Sequence, residues 1–281
     1  MIQEKMFSTY SWKQLKIPDQ KLEHVAVLIP AYNETETIET TIKEVNNLGC
    51  KLVVINDAST DDTAKKVLSF TDLIYVENEK NLGKAGAIKA GLEALVKEQD
   101  LISEIKQIKT IILMDANQHP AWLIPYFTFL CDKYIAVFGA RDFSKAPFTR
   151  KAANANSQFS YFIFNYRVKD PLFGFIAFKA ELAEYLAYNL NRDARFLAEH
   201  DIKRLIIQYA IQHKKQITNL IDIPCPYGVK SRIKLIDVTK LAIADWLTPL
   251  TLKIHELFYP LSRLVDKTHK SLQHLLNNFY F

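Results

Sequence analysis

Cysteine is scarce in this chain, with three among 281 residues. Cys50, Cys131 and Cys225 stand far apart and match no zinc or redox spacing, which leaves buried free thiols in a reducing cytosol as the expectation. Long apolar runs are missing as well. None approaches the ~18 residues of a membrane span, and the nearest, Trp122 to Cys131, is interrupted by Pro125. The opening stretch MIQEKMFSTYSWKQLK has no apolar signal core, so a cytoplasmic protein is expected, with peripheral attachment to the inner membrane face as its membrane mode. Charge of one sign is not concentrated either: 36 Lys and Arg against 31 Asp and Glu give +5, spread along the chain. That distribution argues against nucleic acid as the partner. Internal repeats and low-complexity linkers are absent.

What is present is the composition of a globular protein, 49% hydrophobic and 24% charged, on a chain long enough for one large α/β domain or two smaller ones. VAVLIP from Val25, KLVVIN from Lys51, DLIYVE from Asp72, IILM before Asp115, YIAVFGA from Tyr134 and ITNLIDIP from Ile217 read as strands. Between the first of these lie helical patterns: Ile38, Ile42, Val45 and Leu48, then a helix capped by Ser59 or Thr60, then Ile88, Leu92, Leu95 and Val96. Strand and helix in alternation predict an α/β fold with a mostly parallel sheet flanked by helices. From Arg141 the alternation stops, and helices are expected near 151–166, from Lys179 and over 196–212. Residues 1–24 are expected to form a surface arm, 25–234 a catalytic domain and 235–281 a helical extension. The aromatic set Phe159, Tyr161, Phe162, Phe164 and Tyr166 is expected in the core, with a lipid groove as the other use of such a stripe.

Buried parallel strands deliver their carboxyl ends to the mouth of the sheet, where open α/β folds bind ligands. Glu34, Asp57 and Asp115 each follow such a strand and should converge there. Acidic groups at that edge accept hydrogen bonds from a base or ribose, or hold a divalent cation; each could also merely cap the following helix.

VLIPAYNETETIETTI, VVINDASTDDT, EKNLGKAGAIKAGL and ILMDANQHP, in this order, resemble the nucleotide-sugar half of a family 2 glycosyltransferase with the A-type fold. KDPLFGFIAFKAE and LIDIPCPYGVKSRIKL are most similar to the polyprenyl-phosphate sugar transferases, the dolichyl-phosphate mannosyltransferase group. The resemblance covers residues 25 to about 240 and divides the domain into a nucleotide-sugar half, 25–140, and an acceptor half, 141–234. It implies an inverting transfer from a UDP- or GDP-sugar to a polyprenyl phosphate or other membrane-associated glycan precursor. Pro30, Tyr32, Glu34, Asp57, Lys84 and Asp115 would then bind the nucleotide-sugar, and Arg141, Lys230 and Arg232 the acceptor. Asp170, Asp115 and Glu199 would be catalytic. A magnesium or manganese ion would sit on Asp115, with Asn117 and His119 as further candidates.

The chain departs from the family in three places. Asn117 stands where a second aspartate is usual, Leu172-Phe173 where a small residue is usual before Gly174, and Ile176 where an arginine is common. These departures keep a second expectation open, a degenerate transferase that binds a nucleotide or a partner without catalysis. A nucleotidyltransferase is disfavoured because no basic glycine-rich loop follows the first strand.

Overall fold

The structure, a computed structural model, describes residues 6–17, 21–101, 107–117, 119–163, 165–190, 198–224 and 246–254. Its centre is one eight-stranded sheet. The strands are β1 (Phe7–Ser11), β2 (Val25–Ala31), β3 (Lys51–Asn56), β4 (Ile74–Glu77), β5 (Thr110–Leu113), β6 (Ala136–Arg141), β7 (Ile176–Lys179) and β8 (Ile217–Ile223). Their order across the sheet is β1-β8-β6-β7-β5-β2-β3-β4. All neighbouring pairs are parallel except those of β7, which runs antiparallel to both β5 and β6.

The apolar runs of the central strands supply both faces at once. Ala26, Leu28, Val53, Ile55, Ile111 and Leu113 point to one side, under α3 (Gly83–Leu101), α6 (Ala183–Asn189) and α7 (Ala198–Gln212). Val27, Ile29, Val54, Ile112 and Val137 point to the other, under α1 (Ile38–Asn46) and α4 (Ile124–Cys131). Each such side chain, taken fully out of water, contributes roughly 1.5–3 kcal/mol. Two covered faces are the reason these strands show no polar alternation.

The structure corrects the sequence reading at three points. Residues 7–11 are not a surface arm. They pair with β8 and cover what would otherwise be an open sheet edge, with Met6 and Ser11 buried. β7 ends at Lys179, and the helix expected from there opens as a 3-10 turn, Ala180–Leu182, that runs on into α6. Helix α5 spans Phe148–Ile163, slightly earlier than its aromatic spacing suggests. Ser59 and Thr60 do not cap α2 (Thr63–Val67), whose cap position is Asp62. They bind instead to the turn after β2, where Asn33 donates its amide to Ser59 Oγ (3.1 Å) and accepts the Thr60 amide on Oδ1 (2.8 Å). Asn33 needs that support because its φ of 54° lies in the left-handed region.

Of the aromatic set, Tyr161 and Tyr166 are buried, whereas Phe159 and Phe162 are each 54% exposed; Phe164 lies outside the described residues. Over 246–254 the described part of the tail is helical, and its Trp246 packs edge-on against Phe159 at 6.2 Å. Among the described residues no helix is long and apolar enough to cross a membrane.

Candidate active site

Because β7 runs against its neighbours, its amino end lies at the carboxyl edge of the parallel strands. The turn Asp170 to Gly174 therefore meets the residues that follow β2, β3, β5 and β6, and the first turns of α3 and α7 reach the same place. Glu34, Asp57, Lys84, Asp115, Arg141, Asp170 and Glu199 all belong to this edge.

Lys84 is its centre. The ammonium lies 2.7 Å from Asp115 Oδ1 and 2.7 Å from Glu199 Oε1, so a helix from one part of the chain joins a strand end to another helix. Burial works against the charges of all three groups, but their mutual attraction prevails. Lys84 is held above the usual lysine value, Asp115 is held at about 2 and Glu199 is lowered. Gly174 leaves room for this arrangement.

Asn117, where the resemblance has a carboxylate, turns its amide nitrogen into Glu34 and lies 2.9 Å from both carboxylate oxygens. Thr41 fixes the same turn by donating its hydroxyl to the Ala116 carbonyl at 2.6 Å. Asp57 is buried and accepts from Asn78 Nδ2 at 2.7 Å and from the Leu82 amide at 2.9 Å, which ties the approach to α3 to the end of β3. Pro30 lies in β2 and Tyr32, 38% exposed, just beyond it.

His119 is buried under the aromatic wall of the turn that leads into β7, stacked on Phe175 at 4.8 Å and edge-on to Phe173 at 4.7 Å. Burial pushes its pKa down to about 4, against the pull of Asp115, so the ring is neutral near pH 7. Its Nδ1 accepts the Asp115 amide at 2.7 Å, which leaves the proton on Nε2. That Nε2 faces Asp115 Oδ2 at 3.7 Å.

At the start of the turn before β7, Asp170 has no exposed surface, and Arg141 grips it with Nε (2.7 Å to Oδ2) and Nη2 (2.9 Å to Oδ1). The two residues that the sequence assigns separate acceptor roles are thus joined into one buried pair. Lys203, also fully buried, donates to the carbonyls of Asp170 (2.9 Å), Pro171 (2.9 Å) and Phe173 (2.7 Å). Three acceptors use all three N–H bonds of the ammonium, while burial pushes its pKa down to about 7. Lys203 pins the turn from Asp170 to Gly174, and the sequence reading missed it. The available signal was its position four residues after Glu199 on α7, beside the apolar residues Ile202 and Ile206. Glu199 is partly exposed, its carboxylate turned to Lys84, and its neighbour His200 is buried beside Tyr161. Lys230 and Arg232 lie outside the described residues, as does Gln118.

A divalent cation on Asp115 meets a donor set that does not fit it. Lys84 occupies Asp115 Oδ1, Asn117 presents N–H bonds to Glu34, and the two nitrogens of neutral His119 are a protonated Nε2 and an Nδ1 already accepting a hydrogen bond. Among the described residues no three His, Cys, Asp or Glu side chains come together in a way that could hold a metal ion.

Comparison with known proteins places this site in context. Residues 26–183 match the family model for Glycosyl transferase family 2. An uncharacterized protein of Methanocaldococcus jannaschii is 32% identical over 135 residues, 45% of this chain and 56% of that protein. The poly-beta-1,6-N-acetyl-D-glucosamine synthase of Staphylococcus aureus is 38% identical over 87 residues, 28% of this chain and 21% of the synthase. The matches thus span about half of the archaeal relative and a fifth of the synthase. A mycobacterial protein of solved structure shares the fold with a TM-score of 0.55 at 15% identity, over 80% of this chain and 74% of its own.

Proposed function

The chain belongs to glycosyl transferase family 2, and on that premise we propose that it transfers a sugar from a UDP- or GDP-sugar to an acceptor with inversion at the anomeric carbon. The acceptor in this reading is a polyprenyl phosphate or another membrane-associated glycan precursor. One observation carries the reading: Lys84 joins Asp115, at the strand end expected to face the donor, to Glu199, on the helix expected to face the acceptor. A donor whose diphosphate reached Lys84 would place its anomeric carbon between the two carboxylates.

Transfer forms a bond from an acceptor oxygen to that carbon as the bond to the diphosphate breaks, and the electron pair leaves with the nucleoside diphosphate. The Lys84 ammonium supports the charge that builds there, the electrostatic contribution that matters most in such sites. A phosphate acceptor, with a second pKa of about 6, is already ionised at neutral pH and attacks without a base. A hydroxyl acceptor must lose a proton, and Glu199, partly exposed beside Lys84, takes it in this reading. Asp170, sealed against Arg141, orients the acceptor turn in either case. The lipid-linked acceptor is supported by the similarity of residues 169–181 to the polyprenyl-phosphate group and by the exposed Phe148, Phe159, Phe162 and Ile163 of α5.

A thermal-shift panel with UDP, GDP and their common sugar conjugates tests the donor half. Specific binding raises the melting temperature by mass action, so one nucleotide series should stand out. If none shifts the protein, the donor assignment is wrong. Transfer of labelled sugar to polyprenyl phosphate, compared with water and with soluble glycans, tests the acceptor half.

A further inference from the structure

We infer that Lys84 takes the place of a divalent cation at the donor diphosphate, so that nucleotide binding and departure of the leaving group in this chain need no metal. The inference rests on the donor-site reading above and goes beyond it. Three independent commitments of side chains support it. Asp115 gives Oδ1 to Lys84, and its other oxygen lies 3.7 Å from His119 Nε2, a buried nitrogen that makes no hydrogen bond. Asn117 has exchanged a ligating carboxylate for an amide whose N–H bonds hold Glu34, so it serves the turn after β2. His119 has no lone pair to offer, because its proton-free nitrogen already receives the Asp115 amide.

The ammonium is built into this position. Two carboxylates at 2.7 Å take two of its three N–H bonds, and the third remains for an oxygen of a ligand. Its side chain is 25% exposed, so that bond can be reached from solvent. Space for it depends on Gly174, where a Cβ would come within 2.5 Å of Nζ. Lys84 also lies in the first turn of α3, a 19-residue helix whose positive end faces the same edge. A tethered cation and a helix terminus thus stand where a phosphate dianion would arrive. Two like-signed cations sharing one Asp115 carboxylate would repel each other, so Lys84 and a divalent ion compete for the same task.

The test is isothermal titration of UDP and GDP onto the full chain, once in EDTA and once in manganese, together with titration of manganese alone followed by the free-ion EPR signal. The expected result is a nucleotide Kd that agrees within about twofold between the two buffers, and a manganese signal that the protein does not diminish. Lys84→Met, checked for a wild-type melting temperature, should weaken nucleotide binding at least about tenfold in either buffer. Binding that disappears in EDTA and returns with manganese would overturn the inference while leaving the donor site intact. So would a folded Lys84→Met protein that binds nucleotide as tightly as the wild type. Absence of binding in both buffers would remove the donor-site reading, and this inference with it.

Discussion

The Lys84 ammonium and the Gly174 Cα share one space: a Cβ on Gly174 would lie 2.5 Å from Nζ and 3.4 Å from Glu199 Oε1. The near atom belongs to the flexible end of a long side chain, so Lys84 yields and the backbone does not. Gly174→Ala should therefore lower kcat/KM for sugar transfer by about tenfold or more, which is ~1.4 kcal/mol of transition-state stabilisation. Its melting temperature should stay within a few degrees of wild type. Unchanged kinetics would show that the position of the ammonium is immaterial.

Asp170→Asn tests the buried pair. An amide offers Arg141 one oxygen in place of two and removes the charge of the fully buried Asp170 carboxylate. Breaking such a pair costs about 3–5 kcal/mol. Urea denaturation should report a loss in that range, and a loss under about 1 kcal/mol would mean that Arg141 finds other partners.

His119 predicts the acid response. Its folded value of about 4 lies below the ordinary 6.5, so between those pH values the unfolded chain binds more protons than the folded one. Stability is then fully present above pH 6.5, falls as pH drops through the window toward 4, and loses up to about 3 kcal/mol from this residue. His119→Gln keeps an acceptor for the Asp115 amide and removes the titration. Melting temperatures of this variant should be flatter than those of the wild type across the window; equal slopes would assign the acid response elsewhere.

Gly91 sits where α3 crosses the sheet. A Cβ there would meet Ile55 Cδ1 at 2.6 Å and Leu28 Cδ2 at 3.3 Å. Alanine gains about 1 kcal/mol of helix propensity, but overpacking costs about 1–3 kcal/mol. Chemical denaturation of Gly91→Ala should show a net loss of about 1 kcal/mol, and a more stable protein would mean that α3 can lift from the sheet without cost.

The parts of this protein that were legible in its sequence are those fixed by local pattern. Val25 to Ala31, Lys51 to Asn56 and Ile111 to Leu113 are apolar runs that only a sheet covered on both faces accommodates, and the acidic residue after each falls at the sheet edge by geometry alone. β7 was not legible, because four residues, three of them apolar, are too few to show a period of two. Residues 7–11 look like a polar arm because their partner, β8, is 210 positions away along the chain. The Arg141–Asp170 pair bridges 29 residues, and Lys84–Glu199 bridges 115. Residue type can nominate such groups for a site, but only the folded sheet joins them. Lys203 was hidden for a related reason: a lysine on an amphipathic helix is normally a surface residue, and only the inward carbonyls of Asp170, Pro171 and Phe173 make burial tolerable.

β7 also bears on how the protein is made. It fills the gap between β5 and β6 and is bonded to both, yet it is translated after either of them. Until residue 179 has left the ribosome, β5 and β6 have no strand between them, so the growing chain holds a four-stranded fragment, β2 to β5, and a separate β6. Insertion of β7 joins them in one step. The same strand carries Gly174 and the Asp170 turn on its leading end, so its insertion brings that turn to the edge where Lys84 and Asp115 already stand, and translation of α7 and β8 then adds Glu199 and the strand on which β1 pairs.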